Sequence, residues 1–217
     1  MTVWLQPTET EHPVARPLAE LVRPAHTAIV TQECQEAVVG ANAGLAALAE
    51  EARREAVPNI ARLLPVARAA GVSVIHCVVT RRADGRGSNH NAALFAYGAK
   101  TLSAEPGSHG ASVVPELGPE PSDLVLTRLH GLGPRCGTDL DSVLRNLGVT
   151  TIVPVGVSLN IAIPDFVMDA VNKSYEVVLP SDGVAGIPTD YGQAVLKNTL
   201  SLLSTVVTTD DLIEAWS

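Results

Sequence analysis

A chain of 217 residues with 46% apolar and 18% charged positions carries the material for one self-sufficient core. It can bury roughly 70% of its unfolded surface without a metal or disulfide staple, which excludes a disordered chain. Its 15 basic and 23 acidic residues leave a net charge of −8, which argues against nucleic acid as a partner.

Residues 1–25 hold Pro7, Pro13, Pro17 and Pro24 with no apolar period and predict an extended N-terminal arm. From residue 26 to 217 the pattern predicts one domain. Short β-branched runs at 27–32, 72–79, 123–127, 149–155, 176–179 and 205–208 suit strands buried on both faces. Between them lie helical periods. Ile60, Leu63, Leu64 and Ala67 form one face, with Pro58 in the first turn and Gly71 as a stop. Leu140, Leu144 and Leu147 form a second, ended by Gly148; Ile163, Val167, Ala170 and Val171 a third behind Pro164; Leu196, Leu200 and Leu203 a fourth behind Pro188. Strand–helix alternation predicts a three-layer αβα domain, doubly wound around a mainly parallel six-stranded sheet. Pro154 removes a donor from a central strand and is expected at that strand's end or beside a bulge. Residues 80–122, rich in glycine and bearing Arg81, Arg82 and Arg86, read as a long connection: a binding loop, a surface excursion at an oligomer contact, or both.

Ligands of an open parallel sheet bind beyond the carboxyl ends of the strands, where strand order reverses. Glu33, Arg128 and the turn 156–162 fall at such ends, and the helix start after the turn offers backbone N–H groups to an anion. A carboxylate facing a guanidinium there is either a functional pair or two structural strand-end charges.

At these residues the chain resembles the isochorismatase-like hydrolases. The segment Thr27-Ala28-Ile29-Val30-Thr31-Gln32-Glu33-Cys34-Gln35 is similar to their first strand, which usually ends in Asp-Met-Gln. Asp123 to Arg128, followed by Gly137-Thr138-Asp139-Leu140, is similar to the strand that usually ends in Lys and to a G-T-x-L turn. Residues 148–160, Asp169-Ala170 and Ser181-Asp182-Gly183 complete the likeness, which spans roughly residues 26–208. The resemblance implies the same αβα fold, an Asp-Lys-Cys triad that hydrolyses amides through a thioester, and a cis peptide within Gly156 to Leu159. Carried over, the three triad positions hold Glu33, Arg128 and Ala162, so the resemblance assigns catalytic positions to residues unable to form that thioester. Val157, Ser158 and Ile161 are expected at the oxyanion turn; Arg81, Arg82, Cys136 and Asn160 are expected to touch substrate.

Three explanations of the departures stand open. Isochorismatases proper also lack a nucleophile at the Cys position, and the chain would then hydrolyse a small molecule, such as a vinyl ether, without a covalent intermediate and with Glu33 as acid/base. Alternatively it is an inactive family member that serves as a ligand-binding or oligomeric scaffold. A substitution introduced at 162 would leave Glu33 and Arg128 unexplained. Arg–carboxylate pairing would hold Glu33 ionised, whereas burial would do the opposite.

Cys34, Cys77 and Cys136, odd in number and without a C-x-x-C pair, read as free thiols of a reducing, cytoplasmic compartment. Cys34 should face away from the site and Cys77 lie in the core; Cys136 is either a bystander or a relocated nucleophile. His90 and His109 lack ligand spacing, and neither metal nor other cofactor is expected. No apolar run nears about 18 residues, so no membrane partner is expected. By resemblance the chain is expected to form a homo-oligomer.

Overall fold

The computed structural model describes residues 16–217. In chain order they form α1 (Leu18–Leu21), β1 (Thr27–Gln32), α2 (Glu36–Val39), α3 (Ala46–Arg54), α4 (Ala56–Ala70), β2 (Ser73–Val79), α5 (Ala93–Thr101), β3 (Leu124–Arg128), α6 (Leu140–Asn146), β4 (Thr151–Val157), α7 (Ala162–Asn172), β5 (Glu176–Pro180), β6 (Val184–Ala185), α8 (Thr189–Asn198), β7 (Thr205–Val207) and α9 (Thr209–Trp216). The strands pair in parallel in the order β3-β2-β1-β4-β5-β7. The expected six strands are joined by a seventh, the two-residue β6, which pairs beside the end of β4.

Period-two alternation of β1 and β4 builds the two core layers. Ile29, Val153, Val155 and Val157 pack on the α4 side with Ile60, Leu63, Leu64 and Ala67. Ala28, Val30 and Ile152 pack on the other with Leu140, Leu144, Ile163, Phe166 and Val167 of α6 and α7. Helix α4 ends as its sequence dictates: Gly71 takes the left-handed conformation at φ 88°, and its N–H closes the last turn on Arg68.

Pro154 lies in the middle of β4, opposite Val30 of β1, rather than at a strand end. Gly156, two residues on, donates away from β1 to Gly183, so the missing donor of Pro154 points to the same side. There β5 pairs with β4 only at Thr151 and Ile152, and β6 begins at Gly156. The proline occupies the gap between two partners, where no ladder bond is lost.

Other expectations need correction. Leu147 follows the end of α6 and is 41% exposed, and Val171 also faces outward. The fourth helix stops at Asn198, and Leu200–Leu202 forms a separate 3-10 turn. Of the expected arm, residues 1–15 lie outside the described residues. Residues 18–26 are helical turns rather than extended chain; Leu21 and Val22 join the core, and the Val22 carbonyl accepts from the Trp216 indole at 2.8 Å. The long connection is not structureless: it contains α5 and two 3-10 turns, His109–Ala111 and Pro115–Leu117.

Candidate active site

Strand order reverses between β1 and β4, so the crevice lies beyond the ends of these two strands. Glu33 follows β1 directly and has φ 54°, a left-handed conformation uncommon outside glycine. Its N–H donates to the Cys77 carbonyl of β2 at 2.9 Å. Arg128, the last residue of β3, reaches across β2: its Nη2 donates to Glu33 Oε1 and, at 3.0 Å, to the Leu132 carbonyl. Gln32 Nε2 donates to the same carbonyl at 3.2 Å. The Arg128 side chain is 2% exposed and that of Glu33 18%. The pair is therefore a charge-assisted contact at the floor of the crevice, with the carboxylate on the open side.

Strand β4 supplies the facing wall. A Cβ on Gly156 would come within 2.4 Å of the Gln32 carbonyl, so only glycine lets β4 pass this close to β1. The Val157–Ser158 peptide is cis, within the segment where the resemblance implies one. Ile161 and Ile163 then donate to the Ser158 carbonyl at 3.1 and 3.0 Å, and α7 starts at Ala162 with its N-terminus toward the crevice. Among the described residues, no acceptor takes the Ala162 N–H.

These elements enclose a cavity of about 260 Å³, lined by Glu33, Arg81, Ser158, Asn160, Ile161 and Ala162 among others. The expected site residues divide accordingly. Arg128 supports the floor through Glu33, and Val157 is buried, its side chain packed in the core. Arg82 does not line the cavity; its Nε and Nη2 donate to Asp84 at the surface at 2.9 and 2.8 Å. Cys136 borders a separate cavity with Arg135, Asp165 and Asp169, and its Sγ lies 3.4 Å from His130 Nδ1. Spacing cannot reveal this separation, because it is set by the path of the 129–138 loop. Cavity residues that the sequence reading missed are Thr80, Ser88, Asn89, His130 and the α5 residues Leu94 and Phe95. For the last two a signal existed, since the run Ala93-Leu94-Phe95-Ala96-Tyr97 is apolar inside an otherwise polar connection.

Burial pushes the thiols of Cys34 and Cys77 up to about 12, while Cys136 is exposed. Iodoacetamide at pH 8 is therefore expected to label Cys136 alone in the folded protein. Peptide mass spectrometry showing Cys34 labelled at a comparable rate would contradict the burial.

A carboxylate and a helix N-terminus thus face each other across the switch point of a doubly wound α/β domain, where open parallel sheets bind their ligands. The isochorismatase-domain family model matches residues 27–211, and the chain belongs to that family. Ureidoacrylate amidohydrolase RutB of Rhizobium rhizogenes is 28% identical over 91% of this chain and 86% of its own length. A cysteine hydrolase structure from Pseudomonas syringae pv. phaseolicola 1448A superposes with a TM-score of 0.78 at 26% identity, covering 89% of this chain and 93% of that one. The N-carbamoylsarcosine amidase of Thermoplasma acidophilum shares the fold, with a TM-score of 0.68 at 20% identity over 85% of this chain and 97% of that one. Among the described residues no helix is long and apolar enough to cross a membrane.

Proposed function

We propose that the chain hydrolyses a small molecule without a covalent enzyme intermediate, with Glu33 moving the proton. The observation that carries this reading is the buried Arg128 guanidinium donating to Glu33, opposite a helix start whose first residue is Ala162. Ala162 offers no nucleophile, and in this reading water attacks directly. A carboxylate within reach of that water can serve as its general base. In an amide or ureido substrate, Glu33 would take a proton from water as the new C–O bond forms. The oxyanion would rest against the Ala162 N–H and the positive end of α7. Collapse would break the C–N bond, with the proton passing from Glu33 to the leaving nitrogen, releasing an acid and an amine. A vinyl ether would instead need Glu33 to deliver the first proton. Relatives named as amidohydrolases support the amide direction. Cytoplasmic residence, from the free thiols, and a homo-oligomeric assembly, by resemblance to the family, belong to the same proposal.

The test is a turnover screen of small amides, ureido compounds and vinyl ethers with wild type and Glu33→Gln. Turnover is expected to fall by about 10²-fold or more in the variant and to be indifferent to alkylation of Cys136. Activity that disappears with Cys136 alkylation would replace this reading with a relocated nucleophile. No turnover in any class, with ligand binding retained by Glu33→Gln, would instead support the inactive scaffold.

A further inference from the structure

Beside the crevice lies a second cavity, of about 360 Å³. Among the described lining residues the two cavities share Leu132 alone, and its carbonyl is the one that accepts from Arg128 and Gln32. One wall of the second cavity is α7. Asp165, Asp169 and Lys173, which closes that helix, follow at intervals of four and rise along one face, a turn apart. The other wall is the loop Gly133-Pro134-Arg135-Cys136. A Cβ on Gly133 would collide with Asp165 Oδ2, so the absence of a side chain at 133 lets the loop pass while leaving that carboxylate uncovered.

The two ends of this cavity differ in charge. Toward α6, Arg135 pairs with Asp141 through Nη2 and, at 2.8 Å, with Asp169 through Nε. Its guanidinium lies 5.3 Å from the centre of the Tyr175 ring. The Arg135 side chain is 5% exposed, and its Nη1 is buried without a partner. Against burial, the charges of Arg135, Arg145 and Lys173 lower the pKa of Asp141. Three cations there face two carboxylates, Asp141 and Asp169, which leaves one positive charge over. Asp165 is the reverse case. Partial burial and the Asp169 charge push its pKa up, and the cation that opposes them, Arg128, is already committed to Glu33. An unanswered cation and an unanswered carboxylate thus stand about one helical turn apart, roughly 5–6 Å.

We propose that this cavity is a second small-molecule site, for a zwitterion whose carboxylate rests on Arg135 Nη1 and Lys173 and whose ammonium rests on Asp165. An anion alone leaves Asp165 unanswered, and an amine alone leaves a buried guanidinium donor unpaired. Only a ligand with both charges satisfies the two ends together. The spacing also selects its length. An extended four-carbon ω-amino acid sets its charges about one helical turn apart, whereas an α-amino acid holds them too close. Pro134 and Phe166 add apolar lining for the methylenes between. The site stands apart from the hydrolase reading, because its lining includes neither Glu33 nor Ala162.

Isothermal titration of the wild-type chain with 4-aminobutyrate, butyrate, butylamine and glycine tests this. The expected result is 4-aminobutyrate binding at least 10-fold more tightly than each of the other three. It should also slow iodoacetamide labelling of Cys136, which borders the cavity, by at least threefold. Asp165→Asn and Lys173→Met are each expected to weaken 4-aminobutyrate binding by about 10-fold. Both residues are exposed, so the melting temperature should hold and separate loss of the site from loss of the fold. Glu33→Gln is expected to bind 4-aminobutyrate as wild type does. Butyrate, butylamine or glycine binding as tightly as 4-aminobutyrate would overturn the proposal, as would no 4-aminobutyrate binding at millimolar concentration or an unprotected Cys136. Binding that is lost in Glu33→Gln and kept in Asp165→Asn would put the ligand in the crevice and overturn it too.

Discussion

Replacing Arg128 by alanine is expected to destabilise the protein by about 3 kcal/mol or more, because it leaves a carboxylate without its cation at the floor of a crevice. The Arg128 side chain is 2% exposed and bridges Glu33 and the Leu132 carbonyl, so its loss removes one charge and two hydrogen bonds together. In a chain of this size that corresponds to a fall of roughly 6–12 °C in melting temperature. Adding Glu33→Gln removes the stranded charge, so the double variant should recover part of the loss. A calorimetric melting temperature unchanged in Arg128→Ala would mean that the pair is not formed in solution.

The other large effect lies at the opposite end of the same strands. Asp123 precedes β3, and its side chain is 2% exposed. It accepts from Arg68 Nε at 3.0 Å and Nη2 at 2.7 Å, from His76 Nε2 at 3.2 Å and from the Glu120 N–H at 2.9 Å. Asp123→Ala takes the two-point partner from a guanidinium that is 11% exposed, leaving it Glu120 at 3.7 Å, and strips a wholly buried ring of its acceptor; it should cost about 3 kcal/mol. The same cluster sets a pH dependence. Burial lowers the pKa of His76, and the Asp123 carboxylate only partly opposes it. With the folded value below the unfolded one of about 6.5, the unfolded chain binds more protons in acid, so stability is full above about 6.5 and falls as the pH drops below it. Urea midpoints measured between pH 5 and pH 7.5 should show this slope in wild type and a flatter one in His76→Gln. Equal slopes in the two proteins would remove His76 as its source.

Much of this was legible before any coordinates, and the physical reason differs from part to part. Glu33, Arg128 and residues 158–162 could be brought together from sequence because a parallel sheet aligns its carboxyl ends, whatever the side chains. Arg82 and Cys136 were misplaced because a glycine-rich loop gives no direction to its side chains. Helix α5 was hidden by the Gly85, Gly87 and Gly98 around it and by the absence of any buried stripe to set a period. Leu21 and Val22 sit between Pro17 and Pro24, too few residues for a pattern; they belong to the α4-side core, and the Val22 carbonyl is held by Trp216, 194 positions away. Helix α9 announced itself without being heard: Thr208 and Asp211 form a reciprocal capping box, a spacing visible in the sequence.

The hold of Trp216 on Val22 also imposes an order on the chain's synthesis. A ribosome makes the residues that precede the central strand well before the indole that bonds to them. Until α9 leaves the exit tunnel, the Val22 carbonyl lacks its indole donor, and the flanks of α4 and α1 that α9 packs against stay wet. A nascent chain halted anywhere in β7 or before therefore leaves those flanks open to a chaperone or a protease, and α9 is what covers them.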